Sequence, residues 1–326
     1  MAEEEEIQPV PAADARQMRR PVVPSAEALL GVKHPVLEHG YVVLVDYMGD
    51  DNAIVQAARV SYGQGTKSVR DDRGLIRYLM RHRHTTPFEM VEFKFLIRLP
   101  IYVARQWIRH RTASVNEASA RYSIMSDEYD LPALESIRAQ STRNRQGRGD
   151  ALPEDVQRGV RDEVDRIERE AYASYTSFLD KGVARELARI VLPVGYYTEW
   201  YWKIDLHNLF HFLSLRLDAH AQEEIRLYAQ AMAGIVREVT PVAYEAFEDF
   251  VLESQSFSRR ERIALREMLD GRTAEVACRA AGLPLHRADG TPMKSGEGVE
   301  FLEKVQRLRA AVAPEAGASA SSSKTA

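Results

Sequence analysis

The stretch "MVEFKFLIRLPIYVARQWIRHR", Met90 to Arg111, changes its hydrophobic period halfway along. In its first half Val91, Phe93, Phe95, Ile97 and Leu99 alternate with Glu92, Lys94 and Arg98, the period of a strand with one covered face. Pro100 then stands where a helix tolerates proline, at its first turn. Beyond it Ile101, Ala104 and Ile108 point one way, while Arg105 and Arg109 stack four apart on another face. A half-covered strand feeding a helix predicts an α+β fold, an antiparallel sheet flanked by long helices.

The flanking sequence supplies the other elements. In "GYVVLVDYMGDD" the run Val42 to Val45 reads as a strand closed by Gly49, and Asp50 or Asp51 caps a helix through Ala58. "DDRGLIRYLMRHRH" sets Leu75, Ile76, Leu79 and Met80 on one helical face. The segment from Glu154 to Gly182 is a long amphipathic helix with Val156, Val160, Val164, Ile167 and Ala171 inward and Gly182 as its stop. "ARELARIVLPV" is a short helix ending at Pro193, "YYTEWYWKIDL" is strand-like, and helical spacing runs from His207 to about Val239. Residues 1–33, rich in proline, alanine and charge, read as a mobile arm. Residues 34–256 form one domain, and 257–326 a partly helical extension with a disordered tail, "APEAGASASSSKTA".

The chain of 326 residues is 45% hydrophobic and 28% charged, ordinary for a soluble globular protein, and long enough to bury a sizeable core. Its net charge of -4 argues against a dedicated nucleic-acid partner. Cys278 is the only cysteine, which fits a reducing compartment and excludes an internal disulfide or a Cys-rich metal site. The acidic start "MAEEEEIQPV" is no signal peptide, and no run approaches the roughly 18 apolar residues that span a membrane. These features predict a cytoplasmic protein with no membrane partner.

The chemistry concentrates just past the helix. "RHRTASVNEASARYS", Arg109 to Ser123, holds three arginines, a histidine and five hydroxyl side chains, against the single acid Glu117. Guanidinium forks suit phosphate oxygens, and serine hydroxyls with loop amides complete an anion nest. On chemistry alone the same residues also suit a polar loop at a subunit interface, and "RQWIRHR" could stack on single-stranded nucleic acid. His207 and His211 lie four apart as metal ligands can, but no H-E-x-x-H pattern surrounds them, and the expectation is no metal. Neither G-x-G-x-x-G nor a P-loop is present.

At every defined position "RHRTASVNEASARY" resembles the R-H-R-x-x-S-x-N-x-x-S-x-R-Y signature of the flavin-dependent thymidylate synthases. The resemblance runs from about Gly40 to Phe250 and takes in "HTTPFE", "ARQWIRHR", "ARELARIVLP" and "LRLDAHAQ". It implies a homotetramer with shared active sites that binds FAD and converts dUMP to dTMP, with methylenetetrahydrofolate giving the carbon and NADPH the electrons. It places Thr86, Arg109, His110, Arg111 and Glu117 at the FAD, and with them Asp205, Leu206, His207 and His211. It sets Gln106, Trp107, Ile108 and Arg109 along the nucleotide, with Glu117 and Ala118 beside it. Ser119, Ala120 and Arg121 would hold the dUMP phosphate with Arg189 from another chain, and Arg216 would approach the pyrimidine as the catalytic group. The chain departs from the family at Asp205, Leu206 and His207, where some members carry Asn-x-Arg, and at His211, where an Asn can occur. An aspartate repels phosphates, so Asp205 is expected at ribose or adenine. With Cys278 outside every motif, the resemblance implies polarisation of the pyrimidine in place of a thiol nucleophile.

Overall fold

In the computed structural model, which describes residues 21–60, 69–141 and 147–311, the alternating run is the middle strand of a five-stranded sheet. The sheet comprises β1 (Lys33–Val36), β2 (Gly40–Met48), β3 (Glu92–Pro100), β4 (Ser114–Glu117) and β7 (Tyr197–Asp205), in the order β1-β2-β3-β7-β4 with every pair antiparallel. Phe93, Phe95, Ile97 and Leu99 are all fully buried, as the alternation requires. Each such side chain stabilises by about 1.5–3 kcal/mol, so the face of β3 alone commits the sheet to one orientation. Trp200 and Trp202 of β7 extend the same face, packed edge-on against Trp107 at 5.9 and 5.3 Å.

Helices cover that face: α2 (Asp51–Arg59), α3 (Val69–Arg81), α4 (Ile101–Trp107), α7 (Leu206–Arg216), α8 (Glu223–Val239) and α9 (Pro241–Phe247). Asp50 caps α2 by accepting from the amides of Asn52 and Ala53. Asp51 serves another helix, its carboxylate accepting the amides of Val242 and Ala243 at the open start of α9, 2.9 Å each. The predicted single run from His207 to Val239 is two helices. Asp218 takes the His220 amide at 2.7 Å, a local bond that competes with the helical ladder and breaks it.

Three further expectations change. Residues 21–33, read as part of a mobile arm, are seated: α1 (Pro24–Glu27) buries Ala26, and the Tyr47 hydroxyl donates to Glu27 and accepts from the Val23 amide. Residues 1–20 and the tail 312–326 lie outside the described residues. Helix α4 ends at Trp107 with Ile108 as its C-cap, so Arg109 lies beyond the helix and does not stack on Arg105. The long helix α5 (Glu154–Asp180) stops at Gly182, whose φ of 78° needs no side chain, but its inward face is not the valine stripe. Val156, Val160 and Ile167 are 41–45% exposed, while Gln157, Glu168 and Tyr175 are buried.

The described residues divide into two compact units, one within 21–138 and 151–253, the other within 139–150 and 254–311. The first also holds α6 (Arg185–Ala188). The second contains α10 (Arg259–Leu269), α11 (Ala274–Ala280) and α12 (Glu297–Ala311). It also takes in most of a hairpin of β5 (Arg138–Gln140) with β6 (Arg148–Ala151). Its core is built from small residues, Ala264, Ala277, Cys278 and Ala281, closed by Leu283, Phe301 and Val305. A Ser258–Glu261 capping box starts α10, and the buried Glu261 also accepts from Lys304 at 2.7 Å.

Glu168 is the anomaly of the first unit. It is 6% exposed, and its Oε2 finds no partner among the described residues. Its Oε1 lies against Gly195, where a Cβ would run into it. Burial pushes its pKa up from 4.5 to about 7. Below pH 4.5 the group is neutral in both states. As pH rises through 7 the folded state must bury a charge that the unfolded chain carries in water, so stability is lost across that window. Glu168→Gln should therefore raise Tm at pH 8 by about 2–4 °C, the shift of about 1 kcal/mol in a unit of this size, with the gain vanishing near pH 4.5. Thermal melts across pH check this, and an equal gain at both ends would assign the effect to packing.

Candidate functional site

The basic motif lies at the free edge of the sheet, where α4 ends. The His110 amide donates to Trp107 O at 2.9 Å and turns the chain off the helix. The residues expected to form a loop then become β4, registered on β7 from Ser114 opposite Lys203 to Glu117 opposite Trp200. The Ala118 amide extends the pairing to Glu199 O at 2.8 Å. A tight turn follows, in which Tyr122 and Ser123 donate to Ser119 O and the Arg121 amide reaches Ser119 Oγ at 3.3 Å.

Two side chains are fixed by this edge. Glu117 accepts at Oε1 from Thr198 Oγ1 of β7, 2.7 Å away, and Thr198 is itself buried. His110 faces α7, its Nε2 lying 3.1 Å from Arg216 Nε, with Phe212 edge-on at 4.9 Å and the His211 ring at 6.1 Å. Burial first, then the charges of Arg216 and His211, lower the His110 pKa to about 4. Burial also lowers the pKa of Arg216, which is only partly exposed.

The turn at Ser119–Arg121 is tied to α6. Arg121 Nε pairs with Glu186 at 3.2 Å, and Arg185 donates to Tyr122 O at 3.1 Å. Arg189 follows α6 directly, so one chain brings the segment that carries it against the Ser119–Arg121 turn. Arg109, Arg111 and Arg189 are exposed, and the structure gives them no ion pair among the described residues. Thr86 opens the turn Thr86–Met90 and is exposed, Gln106 is half-buried with its Oε1 unbonded among the described residues, and Ile108, Ala118 and His211 reach the surface.

Three expected contacts meet a different geometry. Trp107 is fully buried, stacked on Phe212 at 4.6 Å, and offers no face to a nucleotide. Leu206 is also fully buried, and its amide is spent on Val91 O at 2.8 Å. Asp205 caps α7: one oxygen accepts the Asn208 amide at 2.9 Å and the other the Asn208 side-chain amide at 2.7 Å. The aspartate that seemed wrong beside phosphates is thus explained by the helix start. Thr198 and Phe212 are the residues that the sequence reading missed. Nothing local marks Thr198; only the register of β4 on β7 brings it to Glu117. Among the described residues, no group of three or more His, Cys, Asp or Glu could hold a metal ion.

A family model described as thymidylate synthase complementing protein matches residues 43–242. A flavin-dependent thymidylate synthase of Thermus thermophilus is 57% identical over 271 residues, 83% of this chain and 95% of that protein. One from Ehrlichia ruminantium is 55% identical over 253 residues, 78% of this chain and 85% of its own length. The chain belongs to the flavin-dependent thymidylate synthase family. The architecture is shared with a UMP/dUMP methylase, PolB of Streptomyces cacaoi, solved with 5-Br dUMP. The TM-score is 0.61 at 36% identity, over 68% of this chain and all of that one. In this thymidylate synthase family member, the capping role of Asp205 has a direct consequence. Asp205→Ala should lower Tm, by about 1 kcal/mol of lost capping, while Asp205→Asn keeps both Tm and flavin content. Flavin lost from Asp205→Asn with Tm unchanged would return the carboxylate to the cofactor.

Proposed function

We propose that this enzyme reductively methylates dUMP to dTMP, with methylenetetrahydrofolate as carbon donor and NADPH-reduced FAD as hydride donor. The seat of Arg216 carries the reading. A half-buried guanidinium, engaged among the described residues only through Nε, keeps its two amino groups for a ligand oxygen and N3. In a site of low polarity such a cation stabilises charge developing on a pyrimidine far better than in water. Covalent thiol catalysis has no candidate to compete. Cys278 is fully buried in the core of the second unit, and burial raises its pKa, away from the reactive thiolate.

The residues present fit a flavin dinucleotide. Arg109 and Arg111 offer exposed guanidinium groups, unpaired among the described residues, to a pyrophosphate, and exposed Thr86 and His211 with half-buried His207 add hydrogen-bonding groups. When bound, the flavin would supply the hydride. The residues of the chain and its copies would bind and orient the nucleotide: Ser119, Ala120 and Arg121 at its phosphate with Arg189 from another copy, and Gln106 and Glu117 along its length. The exposed ion pair of Arg121 with Glu186 is weak, so a phosphate dianion can displace it. Assembly into a homotetramer is supported by Val156, Val160 and Ile167 on α5 and by Leu187, Ile190 and Val194 just beyond it, all exposed apolar side chains.

Release of tritium from C5-labelled dUMP with FAD, NADPH and methylenetetrahydrofolate tests the proposal. NADPH oxidation that ignores dUMP, with no tritium released, would leave only an oxidase. Arg216→Ala should lose about 10²–10³ in kcat while keeping flavin, as expected for a donor that acts where charge develops. Arg121→Ala should raise the dUMP KM far more than it lowers kcat, since the phosphate carries one charge throughout the reaction. Cys278→Ala should turn over almost normally, and a dead, flavin-loaded Cys278→Ala protein would revive thiol catalysis.

A further inference from the structure

We propose that His110 is a positioning residue for Arg216: its Nε2 accepts the Arg216 Nε–H and aims the guanidinium, leaving both Nη groups to the substrate. The inference rests on the reading of Arg216 given above and adds the means by which that side chain is held. The contact is 3.1 Å, between the last turn of α7 and the residue that leaves α4. His110 is itself fixed, by its amide on Trp107 O and by the Phe212 edge against its ring. Phe212 is in turn stacked on Trp107, so the aim of Arg216 is referred back to the buried tryptophan core.

Chemistry favours a neutral acceptor here. A carboxylate on Arg216 would offset the charge that the guanidinium must bring to the pyrimidine, and no acid pairs with it among the described residues. An imidazole fixes direction and leaves the full charge in place. For this, Nε2 must be unprotonated and the proton must sit on Nδ1. Among the described residues, the charges of Arg216 and His211 oppose a second proton on the ring. Arg216 and His211 face it from α7, and Arg109 and Arg111 flank it in the chain. The lowered pKa of about 4 agrees, so the acceptor survives throughout the neutral range.

Three variants of the holoenzyme test the idea: His110→Phe, which keeps a ring without an acceptor, His110→Gln, which keeps an acceptor, and Arg216→Leu. In flavin-saturated protein His110→Phe should lower kcat by about 10–100-fold, with the dUMP KM and flavin reduction by NADPH near normal. His110→Gln should recover most of the loss. In nitrogen-15 spectra of histidine-labelled protein the His110 ring should be the Nδ1–H tautomer and titrate near pH 4, with an upward shift in Arg216→Leu that stays partial because burial still lowers it. A flavin-saturated His110→Phe protein with normal kcat, or a loss that glutamine does not recover, overturns the positioning role. So does a titration near 6.5 in the unaltered protein. The spectra stand apart from turnover: absent tritium release would sink the proposed reaction, whereas turnover with indifferent His110 variants sinks only this inference.

Discussion

Strand β7 must have both of its edges filled. It carries Trp200 and Trp202 into the core, and a strand buried on one face cannot leave a row of amides and carbonyls open beside that core. One edge is satisfied by the nine-residue register with β3. The other is taken by Ser114–Glu117, a segment with almost no strand character of its own. From that pairing the site follows. It sets Glu117 over Thr198, holds the chain so that His110 meets Arg216, and delivers the Ser119 turn toward α6.

The charges of the site fall into two kinds. Arg121 and Glu186 form an exposed pair in water, cheap to break and suited to exchange a carboxylate for a phosphate. Arg216 is set deeper and is held by a neutral ring, so its charge remains available. Under the proposed function the division would serve two tasks on one nucleotide: binding a charge that is always present, and meeting one that appears during the reaction. Asp205, the residue that fits a phosphate surface least well, belongs to neither set, because the start of α7 consumes both of its oxygens.

Helix α5 shows how far an amphipathic pattern can be read from a single chain. Its valine and isoleucine stripe is real, but it faces outward, and the buried side carries Gln157, Glu168 and Tyr175. An apolar period identifies a covered face without naming what covers it. In the proposed assembly further copies of the chain would cover the exposed stripe, whereas the polar side must satisfy its groups within the fold. Gln157 does so on Ile137 O at 3.2 Å, while Glu168 does not and stays protonated to about pH 7.

By itself the sequence determined the strand through Val91–Leu99, the helices around it, a cap at Asp50 or Asp51, the stop at Gly182 and the basic motif. All of these rest on local physics: a period, a cap, a φ only glycine adopts easily, or a cluster of like charges. It also suggested a phosphate site at Arg109–Arg121, a proposal that rests on residue types and not on the fold. Tertiary structure alone decided the rest. Trp107 and Leu206 went to the core because neighbouring apolar surface had to be buried. "SVNE" became a strand because β7 offered an open edge, and Thr198 became the partner of Glu117 because register put it there. His110 and Arg216 are 106 residues apart, and nothing in either segment specifies the other. Their meeting is a consequence of packing, in which long-range burial selects among arrangements that local sequence leaves equal.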